Sequence, residues 1–484
     1  MQTFMNFIDG QWIGSKSGRS VPDVNPADKD DVLGMTPLST REEARAAVEA
    51  AERALGGWRD TPAPARGDIM YRVARIMAAR KDELAKTLTR EEGKILSESL
   101  GEIQRSINIA EFTAGEARRL RGETVPSEMP HTFCYTVKQP LGVVALITPW
   151  NFPAAIPVWK LFPALVAGNT AVLKPATLTP LMAIKIVEVF QECGLPKGVL
   201  NMVIGSGSEV GDEILNHPAV RAVSFTGSNE VGSKIYEGGA RRGIKVQCEM
   251  GGKNPIVVLR DADLEMAVEG AVQGAFGSTG QRCTATSRAV VEEPIADAFV
   301  EGVLERARSI KVGNGLDPAV KMGPAVDEGQ MEKVLGYVEV GKKEGAKLVV
   351  GGHRLEGGTY DKGYFIASTL FDHVSSRMVI AQEEIFGPVL SVIRVKNFDQ
   401  AVEAANNVRF GLSASLYSND SAKIFKFIDK AEVGIVRINS PTVGGEAHLP
   451  FGGVKATGVG AREQGSVVMD FYTELKVVYV DYRA

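Results

Sequence analysis

Between residues 40 and about 119 the apolar positions fall three and four apart, at Ala47, Val48 and Ala51 and again at Ile69, Val73, Ile76, Met77 and Leu84, interrupted by Pro62, Pro64 and Gly93. That spacing predicts a run of amphipathic helices. Over 122–142 the pattern changes: Val125, Thr132, Phe133, Tyr135, Thr136 and Val137, punctuated by prolines, predict an extended strand pair. Short β-rich runs at 143–147, 171–173, 200–204, 222–225 and 246–249 then alternate with amphipathic stretches at 154–167, 180–193, 209–216 and 229–241. A second alternation follows, with strands at 256–259, 289–292, 347–350, 389–395 and 434–438 and helices at 264–276 and 295–309. Such alternation implies an α/β fold of parallel strands with crossover helices, in which ligands bind beyond the carboxyl ends of the strands. The tail 470–482 ends in a strand-like run that needs a partner, and with 122–142 it predicts a small β element for oligomerisation.

The 484 residues suggest about three domains. With 55 Lys+Arg against 59 Asp+Glu, the net charge of −4 argues against nucleic acid as partner, and a hydrophobic fraction of 44% excludes a disordered chain. The four cysteines, Cys134, Cys193, Cys248 and Cys283, form no CxxC pair and are too few for a disulfide framework, which fits a reducing compartment. No run of about 18 apolar residues occurs and the start lacks a leader pattern, so a cytoplasmic protein with no membrane partner is expected. The five histidines are scattered, so no metal site is expected.

Candidate chemistry clusters at the strand ends. Asn151 lies in Pro149-Trp150-Asn151-Phe152-Pro153, where a rigidly held amide could stabilise an oxyanion or simply make a turn. Lys174 follows a strand and could meet ribose hydroxyls or phosphate. The glycine turns at 205–211 and 225–228 precede predicted helices, whose free N–H groups suit a pyrophosphate. Glu249 stands before a glycine pair, and Cys283 follows the turn Gly280-Gln281-Arg282. Arg282 beside the thiol would favour the thiolate; the alternative for a lone cysteine is inert packing. Together, Asn151, Glu249 and Cys283 supply an oxyanion donor, a base and a nucleophile.

These motifs, with Glu-Glu-Ile-Phe-Gly-Pro at 383–388 and Pro-Phe-Gly-Gly at 450–453, occur in an order that resembles the NAD(P)-dependent aldehyde dehydrogenase superfamily over essentially the whole chain. The resemblance implies a Rossmann-like cofactor-binding domain (1–121 and 143–250), an α/β catalytic domain (251–450) and a small β oligomerisation element (122–142 and 466–484) of a homodimer or homotetramer. It implies Cys283 as nucleophile, Glu249 as general base and Asn151 as oxyanion donor. NADP or NAD would be held by Trp150, Lys174, Thr177, Gly207, Phe225, Gly227, Ser228, Glu384 and Phe386. The aldehyde would be framed by Phe152, Trp159, Arg282, Thr284 and Phe451.

Three residues after Lys174, where NAD-preferring members often carry a carboxylate, stands Thr177, so NADP is expected to be accepted. Gly277, six residues before the nucleophile, suggests a roomy pocket, and Arg282 could depress the thiol pKa, pair with a structural carboxylate or bind an anionic substrate. The sequence is most similar to 2-oxoglutarate semialdehyde (2,5-dioxopentanoate) dehydrogenases. Aromatic and other small aldehydes are the alternative substrates, CoA-ester formation is disfavoured by Glu249, and a non-catalytic structural relative is the alternative class.

Overall fold

A computed structural model describes residues 2–483; Met1 and Ala484, the outer limits of the expected domain ranges, lie outside it. The predicted first alternation forms one sheet. Its centre is five parallel strands in the order Leu200–Met202, Thr170–Lys174, Val143–Ile147, Val220–Thr226 and Lys245–Glu249. Parallel pairing brings all five carboxyl ends to one edge, so Trp150, Lys174, Gly207, Ser228 and Glu249 follow neighbouring strands. The sheet is closed by antiparallel pieces too short to show a period: Asn6–Ile8 with Gln11–Ile13 on one side and Gly458–Val459 on the other. Against its faces pack the predicted helices, including Arg41–Asp60, whose Thr40 and Glu43 form a capping box, and Leu96–Glu116.

The second sheet runs Lys347–Val350, Thr369–Asp372, Val389–Val395, Thr286–Glu292, Asn254–Val258, Ser413–Tyr417, Ile435–Ile438, parallel except for its first strand. Two of these strands, Thr369–Asp372 and Ser413–Tyr417, escaped the sequence reading. Ser413–Tyr417 is buried on both faces although it reads Ser-Ala-Ser-Leu-Tyr, because small side chains fill a central strand without an apolar signature. The helices Glu328–Lys343, Phe398–Asn406 and Ser421–Lys430 were likewise not predicted.

Residues 250–253 connect the two sheets, between Lys245–Glu249 and Asn254–Val258, and the chain returns from Ile435–Ile438 to Gly458–Val459. The glycine pair within 250–253 is a packing necessity. A Cβ on Gly251 would fall within 2.6 Å of three atoms of the Glu384 carboxylate, and one on Gly252 would lie 2.8 Å from the Cys283 carbonyl oxygen.

The two distant extended segments pair with each other. Thr473–Asp481 runs antiparallel to Thr132–Pro140 along its whole length, and Thr124–Val125 adds a third strand. Among the described residues no helix is long and apolar enough to cross a membrane.

Candidate active site

The helix Leu264–Phe276 ends at Gly277 and gives way to a tight turn in which Ser278 (φ 48°) and Thr279 (φ 57°) are left-handed without being glycine. Such backbone is held only where its surroundings over-determine it. Here Glu98 Oε1 accepts from the Ser278 amide at 2.6 Å and the Thr279 hydroxyl donates to the Gly323 carbonyl at 3.0 Å. Gly280 is left-handed too, and its Cβ would collide with the Gly387 carbonyl at 2.1 Å. The turn delivers Cys283, partly exposed, to a point where two cavities meet.

One cavity, about 240 Å³, is lined on the first-sheet side by Trp150, Asn151, Gly227, Ser228 and Gly251 and on the other by Glu384, Phe386, Gln330 and Lys333. The second, about 320 Å³, is lined by Phe152, Trp159, Arg282, Thr284, Phe451 and Arg105 among others. Apart from Ile156 and Cys283 the two share no lining residue. All five residues expected around the aldehyde therefore line one cavity, and five of the nine expected around the cofactor line the other.

The remaining four lie apart from the cleft wall. Phe225 is buried, its ring packed under Gly227 and Gly232, so its side chain is core and not cofactor surface. Gly207 is exposed at the start of the turn Gly207–Gly211, and Thr177 is partly exposed after the neighbouring strand. Lys174 is buried beside Gly211; its Nζ donates only to the Pro175 carbonyl at 3.3 Å, and burial pulls its pKa down to about 8.

Asn151 is buried, and its side-chain Nδ2 donates to the Gln281 carbonyl at 2.9 Å, which ties the oxyanion candidate to the cysteine turn. Glu249 is buried at its strand end and turned toward 452–458, where Oε2 accepts from the Gly453 amide at 3.3 Å; it lines neither cavity. A Cβ on Gly452 would sit 2.2 Å from its Oε1, so glycine makes room for this carboxyl. Burial, then the nearby Glu463, hold the Glu249 pKa well above the usual carboxylate range. Glu463 in turn pairs with the buried Lys160, whose Nζ also donates to Ser224 Oγ at 2.7 Å. Cys248 is packed within its strand, its thiol 3.6 Å from the Gly232 carbonyl, and His448 is exposed beside Glu446.

The thiolate expectation for Arg282 is corrected. Its Nη2 pairs with Glu98 at 3.1 Å and its Nε donates to Ser278 Oγ at 2.9 Å, so its charge is taken up by Glu98. Burial, Glu384 and Glu249 push the Cys283 thiol up to about 12, against which the cation that works is Arg105. Gly277 faces the Glu98–Arg282 pair, with Glu98 Oε1 3.4 Å from its Cβ position. Arg105 went unnoticed because it lies on a helix, where a charged residue reads as solvent-facing. It donates to the Gly445 carbonyl and, at 2.9 Å, to Gln464 Oε1, and among the described residues it makes no ion pair.

Residues 12–478 match the aldehyde dehydrogenase family. Over 478 residues the chain is 48% identical to an alpha-ketoglutaric semialdehyde dehydrogenase of Bacillus subtilis (strain 168), covering 99% of this chain and 98% of that protein. It is 47% identical over 482 residues to a 2,5-dioxopentanoate dehydrogenase of Saccharolobus solfataricus, covering 99% of each. A crystal structure of betaine aldehyde dehydrogenase from Staphylococcus aureus in complex with NAD+ superposes with a TM-score of 0.97 at 35% identity, covering 99% of this chain and 95% of that one.

Proposed function

This chain belongs to the aldehyde dehydrogenase family, and on that premise we propose that it oxidises a carboxylated semialdehyde, 2-oxoglutarate semialdehyde or a close analogue, to the free acid with NAD(P). The observation that carries the reading is the placement of Cys283 where the two cavities meet, with Asn151 bonded to its turn.

The first cavity suits a dinucleotide. Ser228, on its wall, caps the N-terminus of the helix Asn229–Arg242, and at the neighbouring strand end, off the wall, Lys174 is a buried cation that makes no ion pair among the described residues. Trp150 and Phe386, edge to face at 5.3 Å, and Glu384 would hold the nicotinamide half. When bound, the dinucleotide supplies the hydride acceptor.

The protein's own steps follow from the other cavity. Cys283 Sγ forms a bond to the aldehyde carbon, its proton passing to water, and the carbonyl oxygen becomes an oxyanion that accepts from Asn151 Nδ2 and the Cys283 amide. After hydride loss the acyl group stays on sulfur as a thioester. Glu249 then takes a proton from water, the resulting hydroxide attacks the thioester, and the tetrahedral species breaks to acid and Cys283 thiolate. A carboxyl that burial already makes more basic suits this role, and it must rotate off the Gly453 amide to reach the thioester. A base in this position favours free acid over a CoA ester.

For substrate charge, the two arginines are not equivalent. Arg282 is neutralised by Glu98, whereas Arg105 brings a guanidinium without an acidic partner to the wall beside Trp159. Arg105 is therefore the anchor for a substrate carboxylate, with Arg282 completing the field.

The test is a panel of aldehydes with both cofactors in H₂¹⁸O, with products weighed by mass spectrometry. Free acid whose new carboxyl group carries ¹⁸O from water is expected even with CoA present, and Cys283→Ala should make none. Arg105→Met should lower kcat/KM on carboxylated aldehydes by roughly 10–100-fold, the range of a lost charged hydrogen bond, with neutral aldehydes changed much less. An equal loss on both would sink the anion assignment, and CoA ester as product would sink the hydrolytic one.

A further inference from the structure

The chain enters the Leu96–Glu116 helix through Gly93 and Lys94. Gly93 is left-handed (φ 98°) at the end of Lys81–Glu92, wedged against Pro26 and Pro324, and it turns the next residue inward. Lys94 is 2% exposed. Its Nζ makes two bonds of 2.7 Å, one to Glu102 Oε2 and one to the backbone carbonyl of Asn151, and lies 4.1 Å from the centre of the Phe152 ring. The other oxygen of Glu102 accepts from the amides of Ala154 and Ala155 at 2.9 and 3.1 Å, where the helix Ala155–Val166 begins.

Lys94 and Glu102, with the buried Glu92 carboxylate 3.7 Å from the same ammonium, thus grip the segment 151–155 at both ends. The ammonium holds the carbonyl of its first residue and the Glu102 carboxylate holds the amides of its last. Burying two ions costs several kcal/mol in desolvation, so such a pair is a poor source of stability by itself. What it supplies is direction: charge-assisted bonds are short and angular, and a carbonyl so held cannot turn without breaking one. The held carbonyl belongs to the residue whose side chain reaches across to Gln281.

We infer that Lys94 is a positioning residue for the oxyanion donor: by fixing the Asn151 carbonyl, its ammonium aims the Asn151 amide at the aldehyde oxygen as charge develops there. The inference rests on the proposed role of Asn151. Electrostatic stabilisation requires donors already in place before charge appears, so a loosened Asn151 acts on the rate of the chemical step more than on binding.

A double-mutant cycle tests it, with N151A, K94M and the double variant compared by kcat, by KM for aldehyde and cofactor, and by thermal unfolding. N151A is expected to lose about 10²–10³ in kcat, the range for one oxyanion donor. K94M should lose about 10–100-fold in kcat with each KM changed less than about threefold, and K94Q, which keeps a neutral donor, should recover part of the loss. In the N151A background K94M should cost less than about threefold more, because two residues acting through one interaction do not add. If N151A keeps wild-type kcat, the oxyanion reading itself falls and takes this inference with it. If N151A is slow but the two losses multiply, or if K94M retains kcat, the inference alone is overturned. Should K94M fail to fold, K94Q occupies its place in the cycle with the same readings.

Discussion

At the residue scale the cysteine is the informative atom. Burial and the charges of Glu384 and Glu249 push its thiol up to about 12, with Arg105 opposing them. Only the thiolate reacts, so alkylation of the cofactor-free protein by iodoacetamide should accelerate about tenfold per pH unit across pH 6–9. A plateau in that range would show instead a thiolate already formed. The sequence made Cys283, Glu249 and Asn151 legible as candidates because Cys283 and Asn151 stand on glycine- or proline-bounded turns and Glu249 ends a strand before a glycine pair. It could not reveal the orientation of Arg282, since adjacency in sequence says nothing about where a long side chain points. Glu98, 184 residues away, decides that.

At the scale of elements, periodicity located the first-half helices and nearly every strand that carries site residues. What it missed is the inward polar face of Leu96–Glu116. Glu98, Glu102 and Arg105 stand four and three apart, one above the next, and touch the cysteine turn, the Asn151 segment and the aldehyde cavity respectively. A pattern reading assigns charges on a helix to solvent, and here the partners that make their burial tolerable come from other elements. The end of the strand Thr170–Lys174 carries a prediction about the cofactor. With Thr177 where a carboxylate would repel a 2′-phosphate, NADP should be turned over, and Thr177→Glu should lower kcat/KM for NADP by at least about tenfold while sparing NAD. Exclusive use of NAD by the unaltered protein would refute this.

At the scale of the molecule, the sheet made by Thr132–Pro140 and Thr473–Asp481 stands out. Leu475, Val477 and Tyr479 alternate along one strand and are 54–66% exposed, and on the opposite face the paired Phe133 and Val480 are exposed too. An apolar strand so uncovered invites a second copy. Light scattering should give a dimer or tetramer, and L475E/Y479E should shift it toward monomer with the secondary structure intact; a monomeric wild type would remove the assembly role. That both strands exist was readable from their residues. That they pair with each other, more than 330 positions apart, depends on the folding of everything between.

The two cavities share only Ile156 and Cys283 among their lining residues. On the proposed roles of the two cavities, an acyl group on Cys283 would fill one and leave the other clear for exchange of the dinucleotide. Turnover then has no need to empty the site between its two halves.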